Sequence, residues 1–364
     1  MDPSNKQNKI AVIDETYLIM SVVLLSIIIG AILIDTSRKP NTSSLQLLKF
    51  SYFFTPIMSF LAFLGLIMSL PLISTAIITA DKNEVLSYAG RNLILWQTAS
   101  ILGCVSAYCN LRRVCFFLCL LCLLLNVYIG FRSSMAIVII SICVFHLFNM
   151  GRQRLLIKHW KTSLLILLVG LLFLLYKQVY VIVLLQRWDI LLSRLTDIDF
   201  YINAITESEP FTTQAILNEV VKTGFSLDIS AFSSVANALL LFAGDGSKSF
   251  NAYFQPVLFP DVSYGMAHNI WAQMWSIGRF PLLLMFIFIF NRVLFLGSWA
   301  LHRFQDKIII SGLLPLLSYW SFYIHRNDLA YQINLEKRVI LVWGACVIVC
   351  YLMPTKKKYL YKVR

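Results

Sequence analysis

Tyr17–Ile34 reads Tyr-Leu-Ile-Met-Ser-Val-Val-Leu-Leu-Ser-Ile-Ile-Ile-Gly-Ala-Ile-Leu-Ile, with no charged side chain in it. A helix of about 20 apolar residues crosses the ~30 Å hydrocarbon layer of a bilayer, and this run is close to that length. It lacks an Ala-x-Ala-like cleavage site and so reads as a retained span rather than a leader. The same pattern recurs at Tyr52–Ile78, Leu93–Cys109, Val114–Ile129, Met135–Met150, Ser163–Leu185, Ile270–Phe290, Ile308–Ile324 and Val339–Met353. The second of these runs is longer than a perpendicular crossing needs and contains Pro56 and Pro71, which predicts a tilted or kinked helix.

Composition agrees with these runs. Hydrophobic residues make up 59% of the 364 positions, charged residues 13%, and the mean hydropathy is +0.74. A soluble chain of this size needs far more polar surface to cover its cores. The expected fold class is therefore an all-α membrane protein: a polytopic bundle of about nine transmembrane helices forming one domain over residues 1–364.

Orientation follows from the basic residues of the short loops. Arg38, Lys39 and Lys49, then Arg112 and Arg113, then Arg152, Arg154, Lys158 and Lys161, then Arg292, Arg303 and Lys307 all fall on one side of such a bundle. The tail adds Lys356, Lys357, Lys358, Lys362 and Arg364, which predicts a cytoplasmic C-terminus. The formal net charge of +13 is thus accounted for by topology, and no nucleic-acid partner is needed. The eight cysteines all lie in or at the edges of apolar runs. The Cys119-x-x-Cys122 pair has no His or carboxylate beside it, so these read as small membrane-compatible hydrophobes and not as a metal or redox site.

One segment breaks the rhythm of short loops. Residues 186–269 lie between the sixth and seventh runs, on the side opposite the basic loops, and are predicted to form a large helical external loop. Gln214–Lys222 has the pattern of a short amphipathic helix. Leu227–Phe242 is more apolar and is expected to lie in or dip into the membrane interface.

Cations on that outer side run against the topology bias and invite a reason. Arg132 sits in Gly130-Phe131-Arg132-Ser133-Ser134, a tight turn at the bilayer surface; it reads either as an arginine reaching headgroups or as an anion contact at a cavity mouth. Arg187 and Arg194, seven residues apart, suit bidentate contacts to a phosphate or, with Trp188, a headgroup girdle. Tyr264-Gly265-Met266-Ala267-His268-Asn269-Ile270-Trp271 places a histidine, able to exchange protons near neutral pH, where a helix begins; a plain polar cap is the other reading. Gly278-Arg279-Phe280-Pro281 puts an arginine within the seventh run, which marks a functional position unless the helix starts only after Pro281. The last outer loop carries His325-Arg326-Asn327-Asp328, where mutual pairing of Arg326 and Asp328 is the simplest account. Asp197-Ile198-Asp199 imitates a metal-binding Asp-x-Asp but is a short and common triplet. No P-loop, His-Glu-x-x-His or Gly-x-Ser-x-Gly with partners is present, which argues against an ATPase, a zincin or a serine hydrolase.

The Gly-x-Arg-Ser-Ser turn at Arg132, the long external loop, the His268-Asn269 helix entry and the His325-Arg326-Asn327-Asp328 element together resemble the O-antigen polymerase and ligase group, in particular the Wzy-type O-antigen polymerases. Glycine pairs often follow the His-Asn stretch in that group, and this chain has Gly278-Arg279 there. The resemblance implies an inner-membrane glycosyltransferase that joins undecaprenyl-pyrophosphate-linked repeat units on the periplasmic face, by inverting transfer without a metal or cofactor. It implies His268 and Arg132 as catalytic residues, with Arg187, Arg194, Asn269, Arg279, Arg326 and Asp328 binding the lipid pyrophosphate and glycan. It further implies membrane lipids and a chain-length regulator as partners. A ligase of the same group shares the Arg and His-Asn features, though the shorter chain and the Arg326/Asp328 element favour the polymerase. A flippase or transporter is the reading from another class, against which stand the lack of repeated halves and of paired broken helices.

Overall fold

The computed structural model describes residues 12–36, 51–79, 82–150, 187–206, 209–240, 248–262, 266–304 and 306–353, with isolated positions between 160 and 182. The sixth expected span, the basic residues of the first and third inner loops up to Lys158, those of the tail, and Tyr264 and Gly265 before His268 lie outside them.

The regular structure of the described residues is helical. The helices are α1 (Asp14–Thr36), α2 (Ser51–Thr79), α3 (Lys82–Cys109), α4 (Arg113–Tyr128), α5 (Ser133–Met150), α6 (Trp188–Leu195), α7 (Ile198–Thr206), α8 (Glu209–Lys222), α9 (Ser233–Leu239), α10 (Phe250–Leu258), α11 (Ile270–Arg303), α12 (Lys307–Ser321) and α13 (Leu329–Leu352). Short 3₁₀ turns at Ile229–Phe232 and Tyr323–Arg326 precede α9 and α13. Three of these helices are long and apolar enough to cross a membrane: Asp14–Ile34, Tyr52–Leu72 and Ile270–Arg303. Shorter apolar helices run over Arg113–Tyr128, Ser133–Phe148, Ile229–Leu239 and Lys307–Ser321. The apolar face of α1 is open: Leu18, Leu24, Leu25, Ile28, Ile29, Ile32 and Leu33 are exposed, while Ile19 and Val23 are buried. An exposed apolar surface of that extent has membrane character.

Each turn between helices has a local cause. After α4, Gly130 adopts φ 105° and the amides of Gly130 and Phe131 bond the carbonyls of Val127 and Asn126. This Schellman arrangement satisfies the last carbonyls of a helix. The same pattern closes α8 at Gly224 (φ 66°), with Gly224 and Phe225 bonding Val221 and Val220. After α3 it is built on Leu111, at φ 55°, a conformation that favours glycine. Within α3 a break at Gly90 (φ 43°) separates an added first segment from the expected span beginning at Leu93.

The chain divides into two compact units, each drawn from non-contiguous segments. One comprises Met1–Pro40, Ile202–Trp299 and Trp320–Leu335. Its core brings Ile19 and Val23 of α1, Ile216 and Val220 of α8 and Phe250 and Phe254 of α10 together with Trp271, Phe286 and Phe290 of α11. The other comprises Asn41–Tyr201, Ala300–Tyr319 and Glu336–Arg364. There α2 and α3 approach so closely that a Cβ at Gly65 would lie 2.7 Å from the Trp96 backbone nitrogen. Polar side chains inside this unit meet across helices: Thr55 with Ser106 at 2.7 Å, Ser141 with Ser318 at 2.9 Å, and Trp96 Nε1 donating to the Cys122 carbonyl at 3.1 Å. Such bonds satisfy polar groups that an apolar surround leaves no water to solvate.

The described residues between 186 and 269 are largely helical, as expected, but the details differ. The amphipathic helix begins at Glu209 rather than Gln214. The described part of Leu227–Phe242 forms the 3₁₀ turn and α9, and the Leu227 amide ahead of them bonds the Ser276 carbonyl at 2.9 Å.

Candidate functional site

The break in α11 explains that bond. Pro281 has no N–H to offer Ile277 and its ring crowds the preceding turn, so the helix cannot run straight through. Gly278 (φ −137°) and Arg279 (φ 51°, ψ −146°) leave helical geometry, and the Ser276 carbonyl is released to Leu227. Gly278 is required where it stands, since a Cβ there would come within 2.5 Å of the Leu282 Cβ. Arg279 lies neither inside a regular span nor in a loop ahead of one. It occupies the break itself, in a backbone conformation that favours glycine, and its Nη2 donates to the Gly224 carbonyl at 2.8 Å.

At the head of α11, Asn269 is a helix cap. Its Oδ1 accepts from the amides of Trp271 (2.9 Å) and Ala272 (3.1 Å), and its Nδ2 donates to the Thr213 carbonyl at 2.7 Å. These bonds fasten the start of α11 to α8 and fix the residue before it, His268.

Asp328 stands at the start of two helices at once. Its Oδ1 accepts from the Tyr331 amide at 2.6 Å, capping α13, and its Oδ2 accepts from the Phe250 amide at 2.8 Å, at the first turn of α10. Both helix N-termini favour a negative charge there. The Asp328 side chain is 2% exposed. Next to it, His268 is 15% exposed, with Nδ1 3.6 Å from Asp328 Oδ2, beyond hydrogen-bond reach. The Asn251 amide instead donates to Nδ1 at 3.2 Å, and the His268 amide donates to the Arg326 carbonyl at 3.0 Å. An Nδ1 that accepts carries no proton, so the neutral ring holds its hydrogen on Nε2. Burial pushes the His268 pKa down from its ordinary value, the Asp328 carboxylate raises it and the Arg326 guanidinium lowers it, with the net shift downward. The Tyr331 ring stacks beside the imidazole at 6.4 Å between centroids, and Arg326 lies over the Tyr323 ring at 4.9 Å.

His325 is a different case. Its Nδ1 accepts from Trp271 Nε1 at 3.2 Å and its Nε2 lies 3.1 Å from the Ser321 carbonyl. Stacked on Trp271, it is buried and its pKa is lowered chiefly by that burial. It is a packing residue.

His268, Asn269, Arg326 and Asp328 thus come together in one unit, and Arg279 belongs to the same unit through α11. Arg132, Arg187 and Arg194 belong to the other. Arg132 opens α5, its carbonyl accepting from Ala136, on the Schellman turn anchored by buried Asn126. Gln97 braces Asn126 from α3, donating to Asn126 Oδ1 at 3.3 Å. Arg187 precedes α6 and lies 3.7 Å from the Asp189 carboxylate at the protein surface, while Arg194 ends that helix. Asp197 acts as a cap: its carboxylate accepts from the Asp199 amide at 3.0 Å where α7 begins. Among the described residues no group of three His, Cys, Asp or Glu side chains is placed to hold a metal ion.

Asn251 and α10 escape the sequence reading. The local signal is Ser249 before an apolar run that contains Pro256; the link to His268 is seventeen residues long and made by a backbone amide. Comparison with protein-family models, with characterised proteins and with solved structures found no match for this chain.

Proposed function

We propose that this chain is a bacterial inner-membrane glycosyltransferase of the O-antigen polymerase kind, with a cytoplasmic C-terminus and the 186–269 segment on the periplasmic side. Its nine-span topology is part of that proposal and rests on the apolar runs and on the placing of Lys and Arg. The observation that carries the reading is the surround of His268: a neutral imidazole fixed by the Asn251 amide, with Asp328 and Arg326 beside it, at the entry of a long apolar helix.

In the proposed transfer a hydroxyl of the acceptor repeat unit attacks the anomeric carbon of the donor glycan. The bond from that carbon to the pyrophosphate oxygen breaks, its electron pair leaves with undecaprenyl pyrophosphate, and the hydroxyl proton goes to the departing diphosphate. Negative charge concentrates on that group, and arginines with fixed N–H donors stabilise it as it develops. Arg326, beside His268, is assigned to the diphosphate; Arg132, Arg187 and Arg194 are proposed as anion contacts from the sequence resemblance alone. With Nδ1 occupied, His268 acts through Nε2–H as a donor that orients reacting oxygens, rather than as a base. Asn269 and Asp328 are positioning residues.

The test is the length distribution of the surface polysaccharide in cells carrying His268→Ala or Arg132→Ala, with membrane abundance confirmed. Loss of the ladder beyond a single repeat is expected, and wild-type ladders would falsify the assignment. Deletion of the gene separates the neighbouring readings: single-repeat lipopolysaccharide marks a polymerase, whereas the absence of any attached repeat marks a ligase.

A further inference from the structure

α6 begins where the sixth apolar run, Ser163–Leu185, ends. The Arg187 amide closes on the Ile182 carbonyl at 3.1 Å, and only Gln186 and Arg187 separate the last apolar residue of the run from Trp188. Three residue steps reach at most about 11 Å, so α6 starts at the headgroup layer of the bilayer that the run enters. α7 is tied back to α6 as an elbow. Tyr201 Oη donates to the Leu195 carbonyl at 2.7 Å, and the Asp197 amide donates to the Arg194 carbonyl at 3.0 Å. The residues from Trp188 to Tyr201 belong to one of the two units.

Both helices leave their apolar side open. Trp188, Leu192 and Leu195 follow the i, i+4, i+7 spacing that shares one helix face, and all three are exposed, Leu192 to 71%. No residue of α6 is buried. In α7, Ile198 (74%) and Tyr201 are exposed on one side, while Phe200, about 200° round the helix from Ile198, is 4% exposed. A helix packed in water does the opposite, and an eight-residue helix without a covered face is marginal there. The charges are placed to match. Arg187 and Arg194, one residue before Trp188 and one before Leu195, fall together on one border of the α6 stripe. Asp189 and Asp199 stand about 100° round from Trp188 and Ile198, off the stripes. Arg187 lies 3.7 Å from the Asp189 carboxylate, beyond hydrogen-bond length, and Asp197 is engaged as the α7 cap.

We infer that α6 and α7 form an interfacial elbow that docks on the phospholipid surface, with Trp188, Leu192 and Leu195 in the acyl boundary and Arg187 and Arg194 on headgroup phosphates. Three features select a bilayer over another protein as the cover. The elbow is continuous with a membrane run, a tryptophan opens it at headgroup level, and cations border its apolar stripe, from where long side chains reach phosphates. The anion that Arg187 and Arg194 meet is then a phospholipid phosphate, and the elbow fastens the start of the 186–269 segment to the membrane. The inference rests on the membrane reading of the 163–185 run and not on glycosyl transfer.

The test uses the full-length protein in nanodiscs of phosphatidylethanolamine and phosphatidylglycerol. Photoreactive benzoylphenylalanine replaces Leu192, Ile198 or Ser193, one at a time, and the adducts are identified by mass spectrometry. Phospholipid adducts at Leu192 and Ile198, several-fold above those at Ser193, are expected. Equal adducts at all three positions, none at Leu192, or adducts to a second copy of the chain overturn the docking. So do adducts that form only when undecaprenyl pyrophosphate is added. Leu192→Asp puts a charge into the stripe at an exposed position. Hydrogen exchange of the 188–195 amides is expected to quicken several-fold in that variant, with the α11 amides unchanged as the sign of an intact fold. Unchanged exchange over 188–195 also overturns the docking. No glycan enters either measurement, so the two proposals fail separately. Lipid adducts in a protein that makes no polymer leave the elbow and remove the transferase, and polymer made without such adducts does the reverse.

Discussion

The backbone amide of Asn251 donates to Nδ1 of His268 at 3.2 Å, and this bond decides what the imidazole can do. It selects the tautomer with hydrogen on Nε2. It also leaves Asp328, 3.6 Å from the same Nδ1, as a neighbouring charge and not a hydrogen-bond partner while the ring is neutral. Protonation of Nδ1 reverses both relationships, because the Asn251 amide then faces another donor and Asp328 faces a cation.

The pH dependence follows with a definite sign. Burial, with Arg326 assisting, holds the His268 pKa below its ordinary value of 6.5, and burial does the same for His325. The unfolded chain therefore binds protons before the folded one does. The stability contributed by the neutral rings is complete above about 6.5 and is lost as pH falls through the lower folded pKa. Melting temperatures of the purified protein from pH 8 down to pH 5 (a range set by that ordinary value) are expected to drop on the acid side. The drop should be smaller in His325→Gln, and an unchanged acid limb in that variant counts against the assignment.

Arg326→Gln removes a cation that lowers the His268 pKa, so that pKa is expected to rise. The acid limb of the activity profile should move to higher pH, as read by polymer formed in membranes across a pH series. A loss of activity with no movement of the limb would instead place Arg326 only in substrate contact.

Asp328→Ala leaves the buried Phe250 amide and the part-buried Tyr331 amide without their acceptor. Losing a cap and stranding a second buried amide costs roughly 2–4 kcal/mol. A markedly lower denaturation midpoint in detergent is expected, with Asp328→Asn intermediate because one amide oxygen still accepts.

Arg279 sits at φ 51° and ψ −146°, in a region that glycine tolerates and other residues occupy under strain of about 1–3 kcal/mol. Arg279→Gly relieves that strain while losing the bond to the Gly224 carbonyl; Arg279→Ala loses the bond and keeps the strain. Thermal denaturation should rank the glycine variant above the alanine variant by about 1 kcal/mol or more. The reverse order would show that the break does not depend on this backbone conformation.

Leu111, 85% exposed and at φ 55°, closes α3 in the conformation that glycine supplies after α4 and α8. Leu111→Gly is expected to stabilise the protein by up to about 1 kcal/mol, measured by the same denaturation.

The helices were legible where the chain speaks locally. Uninterrupted apolar runs such as Tyr17–Ile34 have no stable place for their side chains in water and no backbone partner but their own turn, so the run and the helix coincide. Gly130 and Gly224 likewise mark their turns, because positive φ costs glycine little. Pro281 announces a break in α11, yet it does not say where the chain goes there; that depended on the Gly224 carbonyl meeting the Arg279 side chain, 55 residues away, and the Leu227 amide meeting the freed Ser276 carbonyl. In the candidate site the sequence singled out His268, Asn269, Arg326 and Asp328 by residue type and position at helix ends. Only the tertiary structure separated their work. Asn269 and Asp328 hold helix N-termini, and His268 has its tautomer chosen by Asn251, a residue with no signal of its own. Hydrophobic patterning is written in neighbouring side chains, so the sequence by itself determined the long apolar helices and their membrane character. Which nitrogen of an imidazole carries the proton depends on a backbone amide brought in by folding, and only the tertiary structure decided it.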